Sequence, residues 1–269
     1  MSTYPHTGLF RQVDRTKDPD FFVRFMDEAQ KPAGIQASKR LMLEGMSLAP
    51  GQAVLEVGCG PGTDVFDLVD IVGPDGRLVG LDASEAMIAE ARRRASERQL
   101  PVTFEVGEVQ ALPFPDAAFD VCRAARLLEH LPDAARALSE MARVTRSGGR
   151  VVVFDLDWDT LIIDHPDKQT TRTIVLSYAD SIRNGWIGRQ LPRLFKEQGL
   201  EVLSVDPVQV FVHYVLAELF LGSHLAELQK SRTLSPAQAR RWWECLRQAD
   251  EHGTLLISFT TFVVVGAKN

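Results

Sequence analysis

Cysteine is scarce in this chain. Cys59, Cys122 and Cys245 are the only three in 269 residues, and no C-x-x-C pair occurs. That leaves no disulfide framework and no cysteine-based zinc knuckle, and it fits a reduced, cytoplasmic protein. A basic excess is missing too. The 30 Lys and Arg are outnumbered by 36 Asp and Glu, for a net charge of -6. Nucleic acid is thereby disfavoured as a partner, because phosphate binding needs a basic face. No apolar run reaches the roughly 18–20 residues that span a bilayer, so no stable membrane insertion is expected. The opening "MSTYPHTGLF" lacks the basic-then-apolar order of a signal peptide. Internal repeats and low-complexity tracts are absent. What remains is 45% hydrophobic and 25% charged, the balance of a globular chain.

The middle of the chain alternates between two periods. "AVLEVG" (53–58), "RLVGLD" (77–82), "VTFEVG" (102–107), "FDVCRAAR" (119–126) and "RVVVFDLD" (150–157) read as short apolar strands. Between them, "TDVFDLVDIV" (63–72), "SEAMIAEARRRASERQ" (84–99) and "DAARALSEMARVT" (133–145) read as helices. Ser84 takes an N-cap place, and "SGG" closes the third helix with glycine. Alternating units of this kind predict a parallel sheet with helices on both faces, a doubly wound α/β fold. Residues 1–50 read as a helical segment that closes the active site, and 51–269 as the main domain. A helix is expected within 181–199 and a strand over 200–212. Two helical stretches, within a cap insertion at about 213–252, precede a last strand over 255–268.

"VLEVGCGPG" (54–62) places Gly58, Gly60 and Gly62 directly after the first strand. Such a turn exposes backbone N–H groups and lets a ligand approach the main chain. Asp82 ends the next strand, where an acid accepts hydrogen bonds from both ribose hydroxyls of an adenosine. Dinucleotide folds want G-x-G-x-x-G; here the spacing is G-x-G-x-G, with Thr63 in the sixth place. Glu56 stands just before the turn, a poor neighbour for pyrophosphate and a good one for an ammonium group.

"LEVGCGPG", "LVGLDAS", "VGEVQALPFPDAAFD", "LLEHLPD" and "SGGRVVVFD" follow one another over residues 50–160. In that order they resemble the motifs of class I S-adenosylmethionine-dependent methyltransferases, of the ubiquinone/menaquinone-methyltransferase-like, small-molecule type. The resemblance implies a Rossmann-like, seven-stranded sheet with an antiparallel last strand, and S-adenosylmethionine as cofactor. It further implies that Glu56 and the Gly58–Gly62 turn hold the methionine portion and that Asp82 binds the ribose. Ala83 and Met87 would lie against the cofactor. Glu108 would accept from the adenine amino group, and the Val109 N–H would serve the ring. Arg123 and Ala124 would lie near the methionine carboxylate and amine. Glu108 and Val109 depart from the Asp and Ala usual in the family.

The methyl acceptor requires alignment and, for a hydroxyl or protonated amine, loss of a proton. His130 in "LLEHLPD" is the base candidate, since imidazole titrates near neutrality; the alternative is a structural cap of its loop. Asp155 could orient His130 or the acceptor. Asp155, Asp157 and Asp159 share one strand face, but extended spacing spreads them too far apart for one ion, so no metal is assigned. Cys59 and Cys122 read as small buried residues rather than arsenite ligands. Phe10, Phe21, Phe22, Phe25, Trp158, Trp186 and an apolar stripe at 215, 216, 219, 220 and 225 supply core or pocket surface. The expected reaction is O- or N-methylation of a small, partly apolar molecule, in a monomer or homodimer. C-methylation of a quinone precursor is the rival. A nicotinamide-dependent oxidoreductase and a non-catalytic cofactor-binding module are the alternatives of other classes.

Overall fold

Parallel strands need a long return connection, usually a helix, and this sequence supplies one between each early pair. A computed structural model describes residues 13–16 and 18–269. Phe10 and the rest of residues 1–12 of the expected N-terminal segment lie outside the described residues. The strands are β1 (Ala53–Val57), β2 (Arg77–Asp82), β3 (Val102–Val106), β4 (Phe119–Ala125), β5 (Thr145–Ile163), β6 (Leu200–Phe211) and β7 (Ile257–Lys268). They form one sheet in the order β3-β2-β1-β4-β5-β7-β6. β1 to β5 pair in parallel, and β7 runs antiparallel to both β5 and β6. The seven-stranded Rossmann-like sheet with an antiparallel last strand is therefore present as expected. The chain leaves β1 toward β2 on one side, then crosses to β4 on the other. Such a reversal opens a crevice at the strands' carboxyl ends.

Ten helices are described: α1 (Pro19–Ala29), α2 (Ala33–Met46), α3 (Thr63–Phe66), α4 (Val69–Val72), α5 (Glu85–Arg98), α6 (Ala134–Val144), α7 (Lys168–Ser181), α8 (Ile187–Glu197), α9 (Tyr214–Lys230) and α10 (Pro236–Glu251). Period two divides the apolar strand residues between two cores. Val152 and Phe154 enter the cluster that holds Met42, Ile174, Phe220 and Trp242. Val151 and Val153 enter the other, with Leu138, Met141, Leu191 and Phe195 of α6 and α8.

Three local expectations are corrected. Residues 63–72 form two single turns, α3 and α4, rather than one helix. α6 ends without glycine: Thr145 caps it, its hydroxyl donating to the Met141 carbonyl at 2.7 Å, and β5 starts there. α7 lies where no element was read. Its Thr, Ile and Val content favours strand, and packing overrides that: Ile174 and Tyr178 are buried against β5, α9 and α10.

Candidate active site

Every element of the site is brought to the carboxyl edge of the sheet. After β1 the chain turns back through Gly58, Gly60 and Gly62, whose φ angles are +68°, +52° and +80°. A Cβ on Gly58 would stand 2.7 Å from the Leu127 side chain, so the turn needs both glycine's freedom and its size. The Gly58 and Cys59 N–H groups donate to the Leu81 carbonyl at 2.7 and 3.1 Å, locking the turn to β2. Asp82 finishes the work. One carboxylate oxygen accepts from Gly60 N at 2.9 Å and the other from Ser84 N at 2.9 Å. Burial raises its pKa against these bonds.

Ser84 caps α5 as expected, accepting from Met87 N at 3.2 Å. Asp14 adds a second cap that no sequence pattern announced. It accepts from the Ser84 hydroxyl at 2.6 Å and from the N–H groups of Glu85 and Ala86 at 3.0 and 3.1 Å. A carboxylate at a helix N-terminus is favoured by the exposed N–H groups and the dipole. The contact ties the N-terminal segment to the rim of the cleft.

That cleft encloses about 1380 Å³ of empty space, its open mouth included. Gly58, Gly60, Asp82, Ala83, Met87, Glu108 and Val109 line one end, so seven of the expected site residues are brought together. Glu108 is exposed at the rim. Val109 begins a 3-10 turn, whose first N–H groups such a turn leaves unpaired. Glu56 is buried, and burial pushes its carboxyl up to about 7 against the opposing charge of Arg123. Its Oε1 lies 3.4 Å from Arg123 Nη2, while Oε2 is buried with no partner.

Arg123 and Ala124 are placed differently from the expectation. Both are buried inside β4, away from the cleft lining. Arg123 neighbours Glu56 across β1–β4 and also reaches Asp64 at 3.5 Å, and Lys39 holds Asp64 at 2.5 Å. The residues that do reach the cleft come one to three positions after Ala124: Ala125, Arg126 and Leu127. β4 runs on to Ala125 before it opens into the crevice, so Arg123 and Ala124 stay inside the strand.

The far end of the cleft is aromatic. Trp158 packs at 5.1 Å from Tyr178, 5.5 Å from Phe220 and 5.0 Å from Phe259, measured between ring centres. All four line the cavity, as does Leu216 of α9; Phe25 and Met26 of α1 line it too, with Met26 against Gly60 of the glycine turn. Phe21 and Phe22 are core instead, and Trp186 is half exposed. The stripe on α9 divides: Leu216 and Phe220 line the cleft, Leu225 is core and Val215 is exposed.

His130 and Glu129 stand between the two ends. Burial, helped by the nearby Arg126 charge, lowers the imidazole to about 4. Glu129 was not foreseen. Its Oε2 accepts from the Trp158 indole N–H at 2.5 Å, and its Oε1 lies 3.6 Å from His130 Nε2. Burial raises its carboxyl to about 7, against Trp158 and Arg126. Asp155 does not meet the imidazole. It is fully buried and accepts from the N–H groups of Leu128 at 2.8 Å, Glu129 at 3.3 Å and Leu156 at 3.0 Å. Burial, then the Glu129 charge, holds its pKa well above the usual carboxylate range. It thus holds up the turn that carries Glu129 and His130. Asn184 closes the same turn, its amide donating to the carbonyls of Leu128 and Leu131 at 2.8 and 2.7 Å. Asp157 instead pairs with Arg189 at 2.8 Å.

Among the described residues, no group of three His, Cys, Asp or Glu side chains could hold a metal ion. Burial raises the thiols of Cys59 and Cys122 above their ordinary values, which disfavours thiolate chemistry. No helix of the described residues is long and apolar enough to cross a membrane.

A family model described as "Methyltransferase domain" matches residues 48–230, which contain the glycine turn, Asp82, His130 and most of the aromatic wall. The chain belongs to this methyltransferase family. The expectation of an S-adenosylmethionine-dependent methyltransferase is thereby borne out at family level. This methyltransferase is 38% identical over 247 residues to an uncharacterized 37.1 kDa protein in transposon TN4556 of Streptomyces fradiae, a match over 90% of this chain and 70% of that one. It is 39% identical over 114 residues to the demethylmenaquinone methyltransferase of Lactococcus lactis, covering 42% of this chain and 45% of the relative. The match thus spans less than half of that enzyme. Among solved structures, a SAM-dependent methyltransferase from Aquifex aeolicus superposes with a TM-score of 0.52 at 20% identity, over 74% of this chain and 92% of that one. That likeness is one of fold.

Proposed function

We propose that this methyltransferase acts on an oxygen or nitrogen of a small, partly apolar molecule of the natural-product type. One observation carries the reading: a single cleft has a polar, glycine-lined end and an aromatic end, with two ionisable side chains at the junction. S-adenosylmethionine supplies an electrophilic methyl group when bound. The residues present fit it. Glu56 has an unpaired, buried oxygen suited to an ammonium group. Asp82 uses one lone pair of each oxygen on backbone N–H groups and keeps others for ribose hydroxyls. Gly58 and Gly60 would leave room for the methionine portion, whereas Gly62 backs onto Phe104 and Ala91 and only shapes the turn; Ala83 and Met87 would pack on the nucleoside, and Glu108 and Val109 would meet the adenine. Arg123 acts through Glu56, as a positioning residue. Ala124 sits beneath the floor.

At the other end, Trp158, Tyr178, Phe220 and Phe259 would bury the acceptor's apolar body and align it, which is a large part of catalysis for a displacement. His130 is neutral at pH 7, the state from which a base must start. It would take the acceptor's proton, while Asp155 keeps its turn in place. Val13, α1 and α2 would close the cofactor end, and the 213–252 cap would close the acceptor end, excluding water. We read the protein as cytoplasmic and monomeric or homodimeric, acting on a small molecule rather than nucleic acid.

C-methylation of a quinone precursor is the second reading. The aromatic wall and the likeness to the Lactococcus enzyme favour it. Mass and NMR analysis of the methylated product separates O–CH3 and N–CH3 from C–CH3. Thermal melting tests the central claim. S-adenosylhomocysteine should raise the melting temperature, because it binds the folded state only, and NAD and NADP should not. A shift with NAD and none with S-adenosylhomocysteine would overturn the reading.

A further inference from the structure

Five acidic side chains are buried among the described residues, and the protein itself matches four of them. Glu140 pairs with Arg143 at 2.8 Å and with Arg136 at 3.2 Å, and Asp157 pairs with Arg189. Glu56 faces Arg123, and Asp155 accepts from three backbone N–H groups. Glu129 is the exception. Its Oε2 accepts from the Trp158 indole N–H, a neutral donor. Its Oε1 lies 3.6 Å from His130 Nε2, beyond hydrogen-bond range. Among the described residues, no Lys or Arg nitrogen comes within 4.0 Å of either oxygen. Buried charges in folded proteins are paired, so an ionised Glu129 needs a counter-ion that this chain does not supply.

The side chain is held in place for one. Asp155 fixes the Leu128 and Glu129 N–H groups, the Asn184 amide binds the carbonyls of Leu128 and Leu131, and Trp158 anchors Oε2. Glu129 lines the cleft together with Trp158, Tyr178, Phe220 and Phe259. Aromatic rings attract cations, and more strongly where the cation is out of water. The other titratable or charged groups acting on this spot are His130, Asp155 and Arg126. Burial disfavours the charged forms of His130 and Asp155. Arg126 opposes a second cation, but it also lines the recess beside the glycine turn, and its charge acts there on Asp64.

We propose that the methyl acceptor is a protonated amine with an apolar body, and that Glu129 is its counter-ion, with the ammonium group at Oε1 and the body against the four rings. The proposal rests on the reading of the cleft as a methyl-donor site and narrows its acceptor class. Burial raises the Glu129 carboxyl to about 7, and an ammonium at Oε1 favours the ionised form and lowers it again. A neutral alcohol makes no such pair.

Calorimetry at pH 8 tests this on the chain saturated with S-adenosylhomocysteine, whose own binding is measured first. The probes are 2-phenylethylamine, a cation at that pH, and 2-phenylethanol, which has the same body and no charge. The wild type should bind the amine about tenfold or more tightly than the alcohol. Glu129→Gln should weaken the amine roughly 10- to 100-fold, the usual size for a hydrogen bond to a charged group, and leave the alcohol and S-adenosylhomocysteine unmoved. Unmoved S-adenosylhomocysteine binding shows that the variant is folded, and the wild-type preference needs no variant. A wild type that does not bind the amine, or binds the alcohol as tightly, overturns the proposal. So does a folded Glu129→Gln chain that keeps the preference for the amine. In each of these outcomes S-adenosylhomocysteine still binds, and the methyl-donor reading stands. If S-adenosylhomocysteine does not bind the wild type, that reading falls and takes this proposal with it.

Discussion

Replacing Glu129 by glutamine removes one ionisable group from the junction of the cleft and leaves its shape. In the folded chain Glu129 is 4% exposed and its carboxyl is raised from 4.5 to about 7 by burial. Between those values the folded protein keeps a proton that the unfolded chain has released. Proton binding there favours the folded state, so this contribution is fully present below pH 4.5 and is lost as pH rises through 7. At about 1.36 kcal/mol per pH unit, the interval amounts to roughly 3 kcal/mol. The groups facing Glu129 are Arg126, His130, Asp155 and the Trp158 indole. His130 has the opposite sign. Its imidazole is lowered from 6.5 to about 4, so its contribution is present above 6.5 and is lost as pH falls through 4. Glu56, also near 7, has the same sign as Glu129. The wild-type pH curve is therefore a sum, and the difference between two curves reports Glu129 together with the Asp155 carboxyl that its charge raises. Glutamine keeps an oxygen for the Trp158 N–H and exchanges no proton. Urea unfolding at pH 5, 6, 7 and 8 should show the wild type losing about 2.5 kcal/mol more than Glu129→Gln across that range, since part of the loss is complete by pH 5. Parallel curves would refute the claim that this carboxyl is held protonated by its burial.

Asp82→Ala should weaken S-adenosylhomocysteine binding about tenfold or more by calorimetry, since hydrogen bonds to a charged group are worth roughly 1.5–3 kcal/mol. It also strands the Gly60 and Ser84 N–H groups, so the melting temperature should fall; unchanged affinity would remove Asp82 from the site. With an acceptor found by product mass, His130→Ala should lower kcat by roughly 10²–10⁴ and leave S-adenosylhomocysteine affinity intact. Full activity with a lowered melt would make His130 a loop residue only. Asp155→Asn should reproduce part of that loss non-additively, because it loosens the turn that carries His130.

Much of this molecule is local and therefore legible in its sequence. Strand periods of two, the three glycines, Ser84 before α5 and Asp82 at the end of β2 depend on neighbours a few residues away. Their expected places agree with the structure, as do the helices before the last strand. Distance along the chain is what hides the rest. Asp14 caps a helix some seventy positions downstream, and no pattern links the two. The resemblance placed Arg123 near the methionine carboxylate and amine, but the point where β4 leaves the sheet decides that Arg126, not Arg123, reaches the cleft. Glu129 and Asp155 are both acids near His130 in the chain or the sheet. Asp155 turns inward to three backbone N–H groups, while Glu129 turns to the cavity and Trp158. By itself, then, the sequence determined the order of elements, the glycine turn and the acid that follows it, because these are set by backbone conformation and short-range spacing. Tertiary structure decided which charges are paired, which are orphaned and which aromatics face the cleft, because burial and desolvation depend on what the rest of the chain packs against them.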